Sequence, residues 1–313
     1  MSLRITTNVL VNQTIRDINA NLRRLQELQK QISTGKALLK PSDDPIGVSK
    51  AMRYTKDIDS SSIYQGNIQD GLNRLRATER VLSDILDIIL QIQEIAREGM
   101  DVTASTERPM LGDFVNSFLE EILHKSNSKF QGKFIFGGME TLSGTGTFPA
   151  PFNPVYDSDG YISGVIQNID GIDDLVKYEI DDGQYVVVNI SGSAPFQPNG
   201  EEGENDLFET IINIRDALKN NDIDTLTHEV ENLDEEYDNI LKQNSLVGTR
   251  ISELENRQIQ ISEFQINLKE SLSSIVDVDL AQAAIEQSYQ SFLYQTSIQV
   301  GARIIPQSLL DFI

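Results

Sequence analysis

LTHEVENLDEEYDNILKQNSLVGTRISELENRQIQISEFQINLKESLSSI, residues 226–275, places apolar or amide side chains at alternating steps of four and three. Leu226, Val230, Leu233, Tyr237, Ile240, Asn244, Val247, Ile251, Leu254, Gln258, Ile261, Gln265, Leu268, Leu272 and Ile275 hold these positions, so they line one stripe of a single helix. At about 1.5 Å per residue such a helix is roughly 75 Å long. Its stripe leaves water only if other helices cover it along the whole length, which points to an elongated structural protein rather than a compact enzyme. Asn244, Gln258 and Gln265 interrupt the seam, and polar residues at such positions fix register at a cost in stability.

A second segment keeps the same rhythm through Ile68, Leu72, Leu75, Glu79, Leu82, Leu86, Ile89, Gln93 and Ala96, with Ile85 and Ile92 widening the stripe. It is the natural partner of the first. The chain ends are amphipathic too. Val11, Ile15, Ile18, Leu22, Leu25 and Ile32 share one helical face; Val278, Ala281, Ile285 and Phe292, continued by Leu293, Thr296, Val300 and Ile304, share another. Residues 1–56 carry ten Lys/Arg against four Asp/Glu, whereas residues 270–313 carry one Arg against five acids. Pairing the two ends would bury both faces and neutralise both charges. A basic amphipathic terminus also suits a membrane surface, but the matching acidic end favours the internal partner.

The 313 residues carry a net charge of -22, which disfavours nucleic acid and anionic membranes as partners. With no cysteine there are no disulfides, thiolate metal sites or cysteine nucleophiles. The start, residues 1–8, lacks the apolar core of a secretory signal, and no apolar run is long enough to span a bilayer. The expectation is a protein that stays inside the cell or leaves by another route.

Helical periodicity stops near Phe130, and Gly, Pro and short β-rich runs take over. Residues 176–180 and 184–190 flank Asp181-Asp182-Gly183, a hairpin with glycine where φ must be positive. Residues 140–205 hold twelve acids and one Lys, which suggests a solvent-facing module that adds surface and is removable. The helical ends thus enclose a β insertion, and each helical layer combines amino- and carboxy-terminal segments.

Candidate chemistry is sparse. His124 and His228 lie in no metal or triad spacing and read as surface or structural residues. Asp157-Ser158-Asp159-Gly160 resembles the start of a calcium loop but lacks the later ligands, so it reads as a turn. Gly137-Gly138 and Gly144-Thr145-Gly146 open no helix and precede no Lys-Ser or Lys-Thr, so they do not read as phosphate loops. No catalytic, metal-ligating or cofactor-binding set is expected. One motif stands out: Ser33-Thr34-Gly35-Lys36, then Lys40-Pro41-Ser42-Asp43-Asp44-Pro45-Ile46-Gly47. Gly35 suits a helix end, Ser42, Asp43 or Asp44 can cap free amides, and Pro45 is preset for a first helical turn.

This loop motif, the stretch Gly132-Lys133-Phe134-Ile135-Phe136-Gly137-Gly138 and the ending Pro306-Gln307-Ser308-Leu309-Leu310 resemble the flagellin superfamily. The resemblance covers roughly residues 1–139 and 206–313, with three separated motifs in the right order. Flagellin itself usually has Ala at the position of Pro45 and a different segment in place of residues 133–138. Both differences favour the hook–filament junction branch of the superfamily.

The resemblance implies a fold that is mainly α with an inserted β domain: an elongated antiparallel helical bundle or coiled coil built from N- and C-terminal segments. The expected domains are an N-terminal arm at 1–44, a bundle segment at 45–139, an outward acidic β domain at 140–205, a second bundle segment at 206–275 and a C-terminal arm at 276–313. The arms would form an inner layer, with Val11, Ile15, Ile18, Leu22, Leu25, Ile32, Ile285, Phe292, Leu293, Val300, Leu309 and Leu310 serving subunit assembly. Gly35, Pro41, Ser42, Asp43, Asp44 and Pro45 would form the interhelical loop.

The implied partners are a hook-side hook-associated protein, flagellin, copies of the chain itself and an export chaperone. The implied location is the bacterial flagellum outside the cell, reached through the flagellar type III apparatus without a cleaved signal peptide. The alternatives are a short flagellin and, from another class, a coiled-coil scaffold unrelated to motility.

Overall fold

The computed structural model describes residues 2–38, 40–42, 44–101, 105–138, 150–167, 172–198 and 206–304. Among the described residues six helices occur: α1 (Ser2–Thr34), α2 (Pro45–Gly99), α3 (Arg108–Ser126), α4 (Leu207–Asn220), α5 (Ile223–Val276) and α6 (Leu280–Ile304). Between α3 and α4 lie β1 (Lys129–Phe130), β2 (Lys133–Phe134), β3 (Phe152–Tyr156), β4 (Ile162–Gln167), β5 (Lys177–Asp181) and β6 (Gln184–Val187). The chain divides into two compact units, residues 1–60 with 263–313 and residues 61–262.

The core of the 61–262 unit is the two seams meeting. Ile68, Leu72, Leu75, Leu82, Ile85, Ile89 and Ile92 of α2 and Leu226, Leu233, Ile240, Val247 and Leu254 of α5 are almost fully buried. Each such side chain contributes roughly 1.5–3 kcal/mol relative to an exposed one. The helices run antiparallel, as four cross-links show. Gln93 donates to Asp234 at 2.6 Å, Asn244 to Ser83 at 3.3 Å, Arg76 to Glu255 at 2.7 Å and Gln258 to Gln69 at 3.0 Å. Asn244 and Gln258 thus have partners only in this register, the role that polar seam positions are suited to.

The β region consists of antiparallel hairpins, β1–β2, β3–β4 and β5–β6, each a separate two-stranded sheet. Gly183 turns β5 into β6 with φ +69°, the conformation that glycine adopts without a Cβ penalty. Asp157 Oδ1 accepts from the amides of Asp159 and Tyr161, both at 2.9 Å, so this carboxylate closes the β3–β4 turn.

The expectation that the insertion adds only a surface is corrected here. Isolated hairpins are at best marginally stable in water, and these bury their apolar faces against the helices. Phe152 and Phe196 have no exposed surface and meet Phe208 of α4 and Phe136, which follows β2. Phe196 lies edge-on to Phe136 and Phe152 at 5.0 and 5.1 Å and stacks on Phe208 at 5.8 Å. Ile162, Val188 and Ile190 are buried in the same core cluster. Polar bonds add to this packing. Arg215 donates to Ile162 O at 2.6 Å, Asn67 to Glu179 O at 2.8 Å, Arg250 to Asn189 O, and Arg257 pairs with Asp181. Of the acids described, Asp157, Asp159, Asp173, Asp174 and Asp182 are exposed, while the segment's apolar side chains join the core. Phe152 and Phe196 of the segment thus cover Phe136 and Phe208 of that core.

Candidate assembly surface

In the unit formed by residues 1–60 and 263–313, α1 packs antiparallel on α6. Two amide side chains set the register. Asn21 Nδ2 donates to Ser297 Oγ at 2.9 Å, and Gln290 Nε2 donates to the carbonyl oxygen of Asn21 at 3.3 Å and to its Oδ1 at 3.2 Å. Gly301 lets the helices close, since a methyl there would come within 3.0 Å of Ile18 Cδ1 and 3.4 Å of Thr14 Cγ2. At the other end, Ala37 N donates to Val276 O at 2.7 Å and Val278 N to Gly35 O at 3.0 Å. Gly35 takes φ +70°, which ends α1 in the left-handed turn that glycine accommodates.

The loop motif then starts α2. Asp44 Oδ1 accepts from the amide of Ile46 at 3.1 Å and its carbonyl accepts from Val48 at 2.9 Å, so Asp44 is the cap and Pro45 the first helical residue. A Cβ on Gly47 would overlap the Asp44 carboxylate, so the second glycine of the motif makes room for that cap. Pro41 and Ser42 sit exposed in the turn before it, and Asp43 lies outside the described residues.

On α1, Val11, Ile18, Leu22, Leu25 and Ile32 are half-buried, while Ile15 is exposed. On α6 the expected stripe does not face α1. Ile285 and Phe292 are 72% and 63% exposed, Val300 is exposed too, and only Leu293 of the four named α6 residues is half-buried. Buried on α6 instead are Ala283, Gln290 and Gly301, with Ser297 half-buried between them. Periodicity identified the apolar face, but packing selected the small and amide-bearing face, because Ala, Ser and Gly let the backbones approach and the amides find partners. The 3–4 spacing of Ala283, Gln287, Gln290, Ser297 and Gly301 carried that signal in the sequence.

Among the described residues, none of the salt bridges found joins α1 to α6. Leu309 and Leu310 lie outside the described residues.

Elsewhere, His124 and His228 are exposed, and no group of three or more metal-ligating side chains occurs among the described residues. Glu236, on the buried face of α5, is the most perturbed acid. It is 1% exposed, and burial, aided by the nearby Asp206 carboxylate, pushes its pKa up to about 7 although the Asn239 side-chain amide acts in the opposite direction. Burial likewise raises Asp206, although its carboxylate accepts from Gln197 and caps α4 through the amides of Phe208 and Glu209.

The described residues thus give two long paired helices and a closed-up pair of arms on which Ile285, Phe292 and Val300 stay exposed. The model of the bacterial flagellin N-terminal helical region matches residues 5–141, and that of the flagellin C-terminal helical region matches residues 230–313. The chain belongs to the flagellin superfamily.

It is similar to flagellar hook-associated protein 3 of Salmonella typhimurium, 26% identical over 93% of this chain and 96% of that protein. It is also similar to flagellin of Listeria monocytogenes, 22% identical over 99% of each. Among solved structures, a putative flagellar hook-associated protein from Vibrio parahaemolyticus superposes with a TM-score of 0.64 at 18% identity, covering 75% of this chain and 100% of that one. FlgL of Bacillus cereus gives a TM-score of 0.55 at 21% identity, covering 71% and 99%.

Proposed function

We propose that this chain is the structural adaptor of a bacterial flagellum that joins hook to filament, binding a hook-side hook-associated protein on one side and flagellin on the other. The observation that carries the reading is the arm pair. Its apolar residues Ile285, Phe292 and Val300 stay exposed after α1 and α6 have paired, as a subunit completed by its neighbours requires. The similarity to hook-associated protein 3 over 93% of the chain supplies the kind of assembly. A solved relative from Legionella pneumophila, with a TM-score of 0.56, is described as a flagellar junction protein.

On this reading the arms at 1–44 and 276–313 form an inner layer, and the acidic face of residues 140–205 looks outward. The assembly residues are Val11, Ile15, Ile18, Leu22, Leu25 and Ile32 on one arm with Ile285, Phe292, Leu293, Val300, Leu309 and Leu310 on the other. Copies of the chain fill the junction layer, an export chaperone holds the subunit before assembly, and the type III apparatus delivers it outside the cell. Its work is recognition through packed helical faces, with no bond made or broken.

The second reading is a short flagellin, favoured by the alignment that spans 99% of both this chain and the Listeria protein. Deleting the gene and viewing the cells by electron microscopy separates the two. Hooks without filaments and flagellin released into the medium are the expected result. Loss of the only filament protein, with no flagellin released, identifies the chain as flagellin, and unchanged flagella overturn both readings.

A further inference from the structure

Near the point where the loop meets the ends of α2 and α5, within the unit of residues 1–60 and 263–313, the surface opens into a groove of about 520 Å³. Cavities that bind apolar groups specifically are of this order, about 300–1,000 Å³. Leu38, Val48, Ala51, Met52, Leu272 and Val276 line it, and Met52 is 70% exposed. Lys36, Lys56 and Asp59 also border it, leaving one net positive charge. No residue of α6 lines the groove, so the chain's own α6 leaves it open.

The outward face of α6 has the complementary form. Ile285, Tyr289 and Phe292 follow i, i+4, i+7 spacing, the pattern by which a helix anchors in an apolar groove. They are 72%, 63% and 63% exposed, and the exposed Glu286 lies beside them. The face opposite them is occupied by α1 through Gln290, Ser297 and Gly301, so the stripe cannot turn inward without breaking that pairing. Charge agrees with shape, since residues 1–56 hold ten Lys/Arg to four acids and residues 270–313 five acids to one Arg.

We propose that the Ile285–Tyr289–Phe292 stripe of one copy seats in the Leu38–Met52–Val276 groove of the next copy. The inference rests on the assembly role proposed above and names one contact within it. Groove and stripe are different surfaces, so the contact is head-to-tail. Such contacts propagate into rings or helical arrays, whereas a self-complementary patch stops at a dimer.

The chain contains no cysteine, so engineered thiols report single contacts. Met52→Cys and Phe292→Cys are placed in one chain, which replaces the native chain in flagellated cells. Flagella are sheared off, oxidised and run on a denaturing gel with detection of this chain. A ladder extending beyond dimers in the double variant, with neither single variant cross-linking, is the expected result. Ala51→Cys with Tyr289→Cys provides an independent pair, should the first pair disturb folding.

If both double variants are present on flagella yet remain monomeric, the contact is overturned while the adaptor reading stands. If a single variant forms dimers, the contact is self-complementary, which also overturns it. If the unsubstituted chain is absent from flagella, the proposed function fails, and this inference with it.

Discussion

The helical seam of residues 61–262 and the paired arms follow the same 3–4 rhythm but reach opposite degrees of burial. In the seam, Ile68, Leu75, Leu82, Ile89, Leu233, Ile240 and Leu254 have no exposed surface. In the arms, Ala283 is the buried apolar side chain on α6, and Leu22, Leu25 and Ile32 on α1 are only half-buried. An isolated helix pair has one contact face, whereas the seam is covered also by α3, α4 and the hairpins. On the proposed function the difference separates two uses of one pattern: the seam folds the monomer, and the arms hold apolar surface in reserve for neighbours. An acidic insertion belongs with the first group, because Phe152 and Phe196 sit in the core while Asp157, Asp159, Asp173, Asp174 and Asp182 of the same segment are exposed.

The hardest way to break the seam is Leu254→Asp, which removes a fully buried side chain and leaves an unpaired charge. It should cost about 5 kcal/mol, read as a large drop in melting temperature; an unaltered melt would refute the seam assignment. Phe196→Ala tests whether the insertion shares that core. It should cost about 4 kcal/mol, as buried Phe truncations do, and the whole unit should melt earlier. A loss confined to hairpin signals, with the helical melt unchanged, would show the insertion to be a separate module.

Glu236 gives the seam a pH dependence. Its folded pKa, raised to about 7, lies above the ordinary value of 4.5, so the protonated form is favoured by folding. The contribution is fully present below about pH 4.5 and is lost as pH rises through about 7, a change on the order of 3 kcal/mol. Glu236→Gln should flatten denaturant-midpoint curves across that window, and an unchanged slope would place the titration elsewhere. Smallest is Phe292→Ser on the arms: exposed, it should shift monomer stability by less than about 0.5 kcal/mol yet reduce incorporation into flagella without preventing it. A destabilised monomer with normal incorporation would reverse the comparison.

The sequence disclosed what depends on periodicity and local turn chemistry. The Leu226–Ile275 rhythm marked α5, Asp181-Asp182-Gly183 marked a hairpin turn, and Pro45, preceded by Ser42, Asp43 and Asp44 as cap candidates, marked the start of α2, where Asp44 is the cap. What it did not disclose depends on long-range choice between faces. Helix α6 has apolar residues on one side and small or amide residues on the other, and only the match of Gly301 to Ile18 and of Gln290 to Asn21 decides which meets α1. The insertion was misread for a related reason. Its acids dominate the composition, while the few residues that bind it to the helices, Phe152, Ile162, Val188 and Phe196, stand far apart in sequence with no shared period.

The central claim, that the seam folds the monomer and the arms await assembly, is tested most directly by hydrogen exchange on the purified full-length monomer, followed by the same measurement on flagella. In the monomer, amides of residues 68–96 and 226–261 should exchange only through global unfolding. Those of residues 10–32 and 283–301 should exchange orders of magnitude faster, through local opening, and become protected after incorporation. Equal protection of arms and seam in the free monomer would contradict the account.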